Sequence, residues 1–326
     1  MNPDTLQSCD YYYDTYAHFG AHESLLKDTA RIDAFRNAIF LNRSLIEGKA
    51  VLDAGCGTGL FAMWAAKRGA RVVYAVDRSP FIEYTKKIVE LNGLSDKVKV
   101  IHGLLEEVEL PEKVDLIICD FFGCGLLFDS MFPSFIVARD RFLKEGGSVF
   151  PSSSRIVMTA IEDGEYRNTK INFWDNVYGY KFTAMKKEAL LEPLIDTCPT
   201  DGILCGECVV KEFDSLTVKL EDLSFTAPFT LLPSESNTAH AFVIWFDCFF
   251  RGPECSFVFS TSPYFKSTDY QQVVCYLNKP VRVVPGDLID GELSMRQNEQ
   301  NPRNEDIQIS FIHNGKKYTQ SYQLKV

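Results

Sequence analysis

Three glycines in the first part of the chain have the spacing of a ligand-binding turn. In VLDAGCGTGL, residues 51–60, an apolar strand pattern passes into a helical pattern through Gly55, Gly57 and Gly59. Glycine lets the backbone approach a bound group at a distance where a Cβ atom would clash. The pattern predicts a nucleotide-binding turn, although glycine spacing alone does not separate one nucleotide cofactor from another.

Three acidic residues around this turn narrow the choice of ligand. The next predicted strand ends at Asp77, where a carboxylate can accept hydrogen bonds from both ribose hydroxyls. Glu106, in HGLLEEVEL after the third predicted strand, is placed to accept one from an adenine amino group. Asp53 precedes the first glycine, and a carboxylate there favours a sulfonium and an amine over a pyrophosphate. These residues favour S-adenosylmethionine over NAD; the alternative is a turn retained around an empty site.

These side chains need a sheet that brings the ends of several strands together. From Lys49 to Phe150 short apolar strands alternate with amphipathic helices, which predicts an α/β domain, residues 48–150, with a mostly parallel sheet. The predicted strands are KAVLDAG, RVVYAVD, VKVIHG, VDLIICD and SVF, and the predicted helices are FAMWAAKRGA, PFIEYTKKIVELNGL and SMFPSFIVARDRFLKEGG. Helical spacing before the sheet predicts an N-terminal helical cap, residues 1–47, over its ligand end.

The pattern changes after Pro151. Short alternating strands separated by turn residues predict an antiparallel all-β domain, barrel or sandwich, over residues 151–326. The predicted strands are SRIVMTAIE, SLTVKLEDL, AHAFVIWFDCFF, QQVVCYL and EDIQISFIHNG. Residues 164–198 interrupt them with helix-like segments that carry a group of aromatic residues, namely Phe173, Trp174, Tyr178 and Tyr180. Such a group indicates a partner-binding arm, with a helical lid packed on its own domain as the alternative.

Composition disfavours several classes of partner and cofactor. The net charge of −10 disfavours nucleic acid, and it would suit cationic partners such as arginine-rich tails or simply keep the chain soluble. No apolar run reaches membrane-spanning length, and the N-terminus lacks the features of a secretory signal. The ten cysteines are scattered, so we expect free thiols in the cytoplasm, with the nucleus as a second location. We expect no zinc or redox site at Cys205 and Cys208.

Taken in order, these motifs resemble the protein arginine methyltransferases, most closely the type I enzymes that make asymmetric dimethylarginine. The resemblance begins at Tyr11 and is carried by DYYYDTYAHFGAHESLLKDTAR, VLDAGCGTG, LLEEVELPEKVD, CDFFGCGLLFDSMF, AIEDGEYRNTKINFWDNVYG and FSTSPYFKSTDYQQVVCYL. It implies a Rossmann-type S-adenosylmethionine-binding domain followed by a β-barrel. It also implies that residues 164–198 are the helical arm that completes a ring-shaped dimer.

The resemblance further implies which residues hold the cofactor. Tyr12, Tyr13 and Tyr16 fall on an N-terminal aromatic motif that closes over the cofactor in the family. The implied cofactor contacts are His18, Arg31, Asp53, Gly55, Gly57, Asp77 and Glu106.

The family's catalytic carboxylates are present only in a shortened form. Methyl transfer to arginine needs two carboxylates that hold the planar guanidinium bidentately, and the family supplies two glutamates from one loop. In CDFFGCGLLFDSMF these positions are Asp120 and Asp129, and the loop has Phe121-Phe122 in place of the family's Trp-Met pair. Each side chain loses about 1.5 Å of reach, and a misplacement near 1 Å can lower a rate on the order of 100-fold.

Two further departures fall on the same pocket. Thr268-Asp269-Tyr270 stands where the family has Thr-His-Trp, and that histidine pairs with an acid on the N-terminal helix, here Asp28. Asp269 opposite Asp28 would bring two carboxylates together, so we expect one of them to shift towards protonation. The family's dyad cannot form in that arrangement. Leu25 replaces a methionine that borders the substrate arginine.

These departures favour a catalytically inactive, prozyme-type paralogue. Such a chain would pair through its arm with an active arginine methyltransferase in a hetero-oligomer that modifies arginine-rich proteins, and it would stabilise or activate that partner. The alternative is an active but slow type I enzyme that uses Asp120 and Asp129 in place of the glutamate pair. A third reading is a methyltransferase-like domain that acts on another substrate or serves as a scaffold.

Overall fold

A helical segment precedes the first sheet in the computed structural model, which describes residues 14–325. Its elements are α1 (Phe19–Lys27), α2 (Thr29–Leu41) and a 3-10 turn (Arg43–Leu45). Phe35 of α2 stacks on Phe61 of the first domain at 4.4 Å and meets Phe250 of the second domain edge-on at 4.8 Å. The segment therefore packs against both domains through one aromatic ring.

A five-stranded parallel sheet follows, as predicted. Its strands are β1 (Ala50–Ala54), β2 (Val72–Asp77), β3 (Val98–His102), β4 (Val114–Cys119) and β5 (Leu143–Phe150), in the order β3-β2-β1-β4-β5. The connecting helices are α3 (Leu60–Lys67), α4 (Ile82–Leu91) and α5 (Phe132–Phe142). The direction of strand addition changes between β1 and β4, and ligands of such sheets bind there, at the carboxyl ends of the strands.

Two antiparallel sheets form a barrel-like second domain. Its strands are β6 (Ser153–Ile161), β7 (Leu194–Asp196), β8 (Cys208–Asp214), β9 (Phe225–Leu231), β10 (Asn237–Arg251), β11 (Ser256–Ser260), β12 (Gln272–Val283), β13 (Ile289–Gln297), β14 (Glu305–His313) and β15 (Lys316–Leu324). The larger sheet has the order β7-β12-β10-β6-β8 with β11 on β10, and the smaller has the order β15-β14-β13-β9. Every second residue of β14 is buried, the period of a strand with one face on a core.

Two predicted elements differ from the structure. The segment SLTVKLEDL does not form a strand; it turns after β8 and contains a 3-10 turn at Leu220–Leu223. The carboxylate of Asp222 accepts a hydrogen bond from the amide of Lys219 at 2.9 Å, and such local bonds compete with a strand ladder. The predicted helix SMFPSFIVARDRFLKEGG ends at Phe142, and its glycine-containing end belongs to β5 because glycine disfavours helix.

The predicted arm, residues 164–198, has an exposed aromatic surface. It contains α6 (Gly164–Lys170), a 3-10 turn (Asn172–Asp175), α7 (Thr183–Leu191) and β7, which pairs with β12. Tyr178 is 96% exposed and Tyr180 73%, while the half-buried Trp174 contacts Phe173, itself exposed, at 5.2 Å. The barrel therefore leaves this aromatic surface uncovered, as a partner-binding arm requires.

Three further features of the described part of the chain bear on its chemistry. Within residues 14–325, no helix is long and apolar enough to cross a membrane. The same residues contain no cluster of His, Cys, Asp and Glu that could hold a metal ion. Cys205 is buried and Cys208 is half-buried, and both are free thiols.

Candidate functional site

A cavity opens at the carboxyl ends of β1, β2 and β4, with α1 on one side. Its lining includes five of the seven predicted cofactor contacts, Arg31, Gly55, Gly57, Asp77 and Glu106, together with the predicted catalytic Asp120. The fold therefore brings the predicted cofactor residues and the first of the two aspartates to one place.

The glycine turn forms a cradle that side chains would fill. Gly55 has a φ of +73°, and a Cβ atom on it would lie 2.9 Å from the sulfur of Met131. Gly57 has a φ of +49°, and a Cβ atom there would lie 3.3 Å from the ring of His22. Both positions favour glycine for their left-handed backbone conformation, and a side chain there would crowd Met131 or His22. This agrees with the predicted role of the turn.

Asp77 at the end of β2 is fixed by backbone donors. Its carboxylate accepts hydrogen bonds from the amides of Gly57 at 2.8 Å and Ser79 at 2.7 Å. Burial raises the pKa of Asp77, while the two amide donors act in the opposite direction. A carboxylate has about four acceptor positions, so positions remain for the ribose hydroxyls predicted to bind there.

Asp53 is buried and bonded to the helix that follows the glycine turn. Its carboxyl group is fully buried, accepts a hydrogen bond from the amide of Ala62 in α3 at 2.8 Å, and is not part of the cavity lining. Burial raises the pKa of Asp53 to about 7. The carboxyl group fixes the strand end to α3 and lies behind the glycine turn, outside the cavity lining.

The N-terminal segment contributes a histidine to the cavity, but not the predicted one. His18 is exposed and outside the lining, whereas His22 lines the cavity and packs on Phe81 with ring centroids 3.9 Å apart. His22 Nε2 lies 2.8 Å from the carbonyl oxygen of Tyr16, which also lines the cavity. His22 shares a face of α1 with Leu25, three residues on, and this helical spacing could have identified it.

Part of the predicted aromatic motif cannot be placed. Tyr12 and Tyr13 lie outside the described residues. Tyr16 is the one member of the motif whose surroundings the structure describes, and its carbonyl oxygen accepts a hydrogen bond from the hydroxyl of Ser79 at 2.6 Å. This bond ties the segment before α1 to the loop after β2.

The first carboxylate of the degenerate pair is engaged by the chain's own side chains. Asp120 Oδ2 accepts a hydrogen bond from Arg31 Nε, and both side chains are almost inaccessible to solvent. Asp120 Oδ1 accepts from the hydroxyl of Tyr270 at 3.2 Å, and burial raises the pKa of Tyr270, so the phenol keeps its proton. Burial opposes the charge on Arg31, but Asp120 raises the pKa of Arg31 above its ordinary value, so the guanidinium stays charged.

The second carboxylate lies outside the cavity lining. Asp129 Oδ1 is 3.2 Å from Nη1 of Arg303, in the loop between β13 and β14. Burial raises the pKa of Asp129 to about 6, with Arg303 acting in the opposite direction. Asp120 and Asp129 are therefore paired with two different arginines of this chain, and only Asp120 lies in the cavity lining.

Phe121 and Phe122 add bulk next to Asp120. Phe121 is fully buried and stacks on Phe132 at 4.2 Å. Phe122 lines the cavity and packs against Phe259 at 5.4 Å and Tyr270 at 5.8 Å. Aromatic rings thus pack closely around this end of the cavity, next to Asp120.

The structure brings Asp28 and Asp269 together, as the sequence predicted. Asp28 caps α2 by accepting from the amide of Arg31, and its other oxygen accepts from the amide of Asp269 at 3.2 Å. Partial burial and the charge of Asp28 raise the pKa of Asp269. Leu25 lines the cavity and accepts a hydrogen bond from Arg31 through its carbonyl oxygen. A carboxylate side chain, that of Asp269, therefore lies close to the carboxylate of Asp28.

The two ends of the cavity differ in how well they fit S-adenosylmethionine. The glycine cradle, Asp77 and Glu106 fit the adenosine part, which needs close backbone approach and acceptors for the ribose and the adenine. At the reacting end, Arg31 and Asp120 already neutralise each other. The nucleoside end therefore fits the cofactor, whereas only Asp120 of the two family carboxylate positions lines the reacting end.

Comparisons with known proteins agree with this architecture. A methyltransferase domain model matches residues 51–147, and a model described as the arginine methyltransferase oligomerization subdomain matches residues 152–316. Protein arginine N-methyltransferase 1 of Schizosaccharomyces pombe is 43% identical over 310 residues, which is 95% of this chain and 91% of that protein. Protein arginine N-methyltransferase 1.1 of Arabidopsis thaliana is 42% identical over 327 residues, covering 99% and 84%.

Two solved structures are similar over nearly the whole chain. A chain of the Trypanosoma brucei PRMT1 enzyme–prozyme heterotetrameric complex with AdoHcy superposes with a TM-score of 0.93 at 35% identity, covering 95% of this chain and 100% of that one. Arabidopsis thaliana protein arginine methyltransferase 10, described as uniquely open, superposes with a TM-score of 0.88 at 28% identity, covering 96% and 100%.

Proposed function

This chain belongs to the protein arginine methyltransferase family, and we propose that within it the chain is a non-catalytic, prozyme-like subunit. It pairs through its arm with a catalytic paralogue that makes asymmetric dimethylarginine, and it stabilises or activates that paralogue. The assembly acts on arginine-rich proteins of the cytoplasm and the nucleus. S-adenosylmethionine is the cofactor of the assembly, and the nucleoside end of this chain's own cavity retains the residues to hold it.

One observation carries this proposal: each of the two aspartates at the glutamate positions is paired with an arginine of this chain. Asp120 is held by Arg31 and Tyr270 inside the cavity, and Asp129 is held by Arg303 outside its lining. A substrate guanidinium would have to displace an internal one from a buried ion pair before it could bind. Even then it would meet one shortened carboxylate instead of two, which is insufficient to orient the attacking nitrogen.

The exposed arm supports the pairing half of the proposal. Its aromatic side chains, with Tyr178 and Tyr180 mostly exposed, form the kind of apolar surface that a partner covers. The match of residues 152–316 to an oligomerization subdomain and the likeness to a chain of an enzyme–prozyme complex support the same assignment.

A second candidate function is a slow type I arginine methyltransferase that acts alone. The retained nucleoside end of the cavity, with Asp77 and Glu106 in the lining, favours it. So does identity of 40% or more to proteins named as arginine methyltransferases. This reading requires Asp120 and Asp129 to leave their internal arginines and converge when substrate binds.

A mixing experiment separates the two functions. The chain alone, a family member from the same organism with the complete glutamate pair, and their mixture are each assayed for methyl transfer to an arginine-glycine-rich peptide. We expect the chain alone to stay at background, and the mixture to exceed the paralogue alone by about tenfold or more, which corresponds to about 1.4 kcal/mol of barrier. Robust turnover by the folded chain alone would establish the second candidate instead.

A further inference from the structure

The loop between β3 and β4 carries a cavity residue with little support of its own. Residues 103–105 and Glu106 line the cavity, yet among the described residues the Glu106 side chain makes no hydrogen bond or ion pair. The loop is held internally by two backbone bonds, from the amides of Glu107 and Val108 to the carbonyl oxygen of Leu104, at 3.0 and 2.9 Å. The position of Glu106 therefore depends on what holds this short turn from outside.

The buried Leu105 side chain and the bond from the amide of Gly103 to the carbonyl oxygen of Asp77 anchor the start of the turn. Arg141, near the end of α5, supports the segment on both sides of Glu106. Its Nη1 donates to the carbonyl oxygen of Leu105 at 2.7 Å, and its Nη2 donates to the carbonyl oxygen of Val108 at 2.9 Å. The two carbonyl groups lie on either side of Glu106 in the sequence, so the guanidinium spans the segment that presents this side chain. The two hydrogen bonds come from two different nitrogens of the planar guanidinium of Arg141. A lysine ammonium cannot reproduce this geometry.

A third contact of Arg141 contributes little by comparison. Nη2 also lies 2.9 Å from Glu109, but the Glu109 side chain is 86% exposed, and exposed ion pairs have small effects. The guanidinium carbon lies 4.7 Å from the ring centre of Phe142, which keeps the side chain against α5. The backbone bonds to Leu105 and Val108 are therefore the contacts through which Arg141 holds the loop.

The same helix reaches both ends of the cavity. Met131, directly before α5, lies against the Gly55 cradle, and Ser134 in its first turn also lines the cavity. Arg141, at the other end of α5, holds the loop on the adenine side. The helix thus contacts both the glycine turn and the loop that carries Glu106, the predicted acceptor for the adenine amino group.

We propose that Arg141 is a positioning residue that holds Glu106 in place to accept from the purine of a bound adenosine cofactor. The identity of the ligand rests on the cofactor assignment in the proposed function. The contact between Arg141 and the loop does not depend on that assignment. Arg141 does not touch the ligand; it acts through the loop and Glu106.

The loop contact is tested on the chain without ligand. Amide hydrogen exchange over residues 103–109 is compared between the wild type, Arg141→Met and Glu109→Gln. We expect exchange to accelerate by about tenfold or more in Arg141→Met, which retains the apolar stem, and to change by less than twofold in Glu109→Gln. Unchanged exchange in Arg141→Met would overturn the proposal whether or not the chain binds a cofactor.

The link to Glu106 is tested by a double-mutant cycle on S-adenosylhomocysteine affinity, measured by calorimetry. We expect Arg141→Met and Glu106→Gln each to weaken binding by about tenfold, Arg141→Lys to fall between wild type and Arg141→Met, and the double variant to be no weaker than Glu106→Gln. Additive losses in the double variant would overturn the role through Glu106. If the wild type does not bind S-adenosylhomocysteine, the cofactor assignment is contradicted. Faster loop exchange in Arg141→Met would still establish the contact between Arg141 and the loop.

Discussion

Replacing Trp174 and Tyr178 by alanine is expected to weaken assembly with the catalytic paralogue on the order of 100-fold or more. Tyr178 is almost fully exposed, and Trp174 supports the exposed Phe173 from one side, so both contribute to the uncovered surface of the arm. Buried aromatic anchors at interfaces each contribute about 1–2 kcal/mol or more when truncated. Two such losses therefore correspond to about two orders of magnitude in dissociation constant.

The effect should be specific to the arm. Light scattering and sedimentation of the mixture report the assembly, while thermal unfolding of the chain alone reports its fold. Ile312→Ala removes an apolar side chain that is 52% exposed on β14, outside the arm, and serves as the control. We expect the control to assemble like the wild type. An unchanged mass for the arm variant would show that the interface lies elsewhere.

Asp120→Asn is expected to lower the free energy of unfolding of the chain by about 3–5 kcal/mol. The change leaves the Arg31 guanidinium buried without its charge partner, and such single removals from buried ion pairs are strongly destabilising. Tyr270 would also lose a charged acceptor for its buried hydroxyl. Denaturant unfolding, with the slope compared between variants, measures the loss.

The size of this loss decides whether Asp120 is free to bind a substrate. Glu47→Gln, which breaks the exposed pair with Arg43, is the control and is expected to leave the unfolding midpoint unchanged. A near-zero effect of Asp120→Asn would mean that the carboxylate is not committed to Arg31. The shortened pair would then be available for arginine, and the slow-enzyme reading would gain support.

The first sheet was predictable because local signals agree along its length. Its strands are short apolar runs, and its helices have glycine at or just after their ends, as at Gly69 and Gly93. The second domain was predicted less completely. Strand β9 contains Pro228 and β13 contains Gly291, residues that locally argue against strands. Both strands exist because they pair with each other, as Pro228 does with Glu292.

The candidate site was also predicted only in part, because the sequence does not show where each side chain points. Spacing located the glycine turn, Asp77 and Glu106, because these residues follow successive strands at one edge of the sheet. Spacing could not show that Asp53 turns into α3, since a strand-end carboxylate can point either way. The partners of the two aspartates were also hidden: Asp120 pairs with Arg31 across 89 residues. Asp129 pairs with Arg303 across 174, and only the tertiary fold creates such contacts.

Inactivating one subunit at a time tests most directly which subunit of the mixed assembly catalyses methyl transfer. In one assembly the paralogue carries glutamine at its first catalytic glutamate beside the wild-type chain, and in the other this chain carries Asp129→Asn beside the wild-type paralogue. The proposal predicts a loss of methyl transfer of about 100-fold or more in the first assembly and a change of less than twofold in the second. Activity that survives in the first assembly, or falls with Asp129→Asn while the assembly stays intact, would contradict a non-catalytic role for this chain.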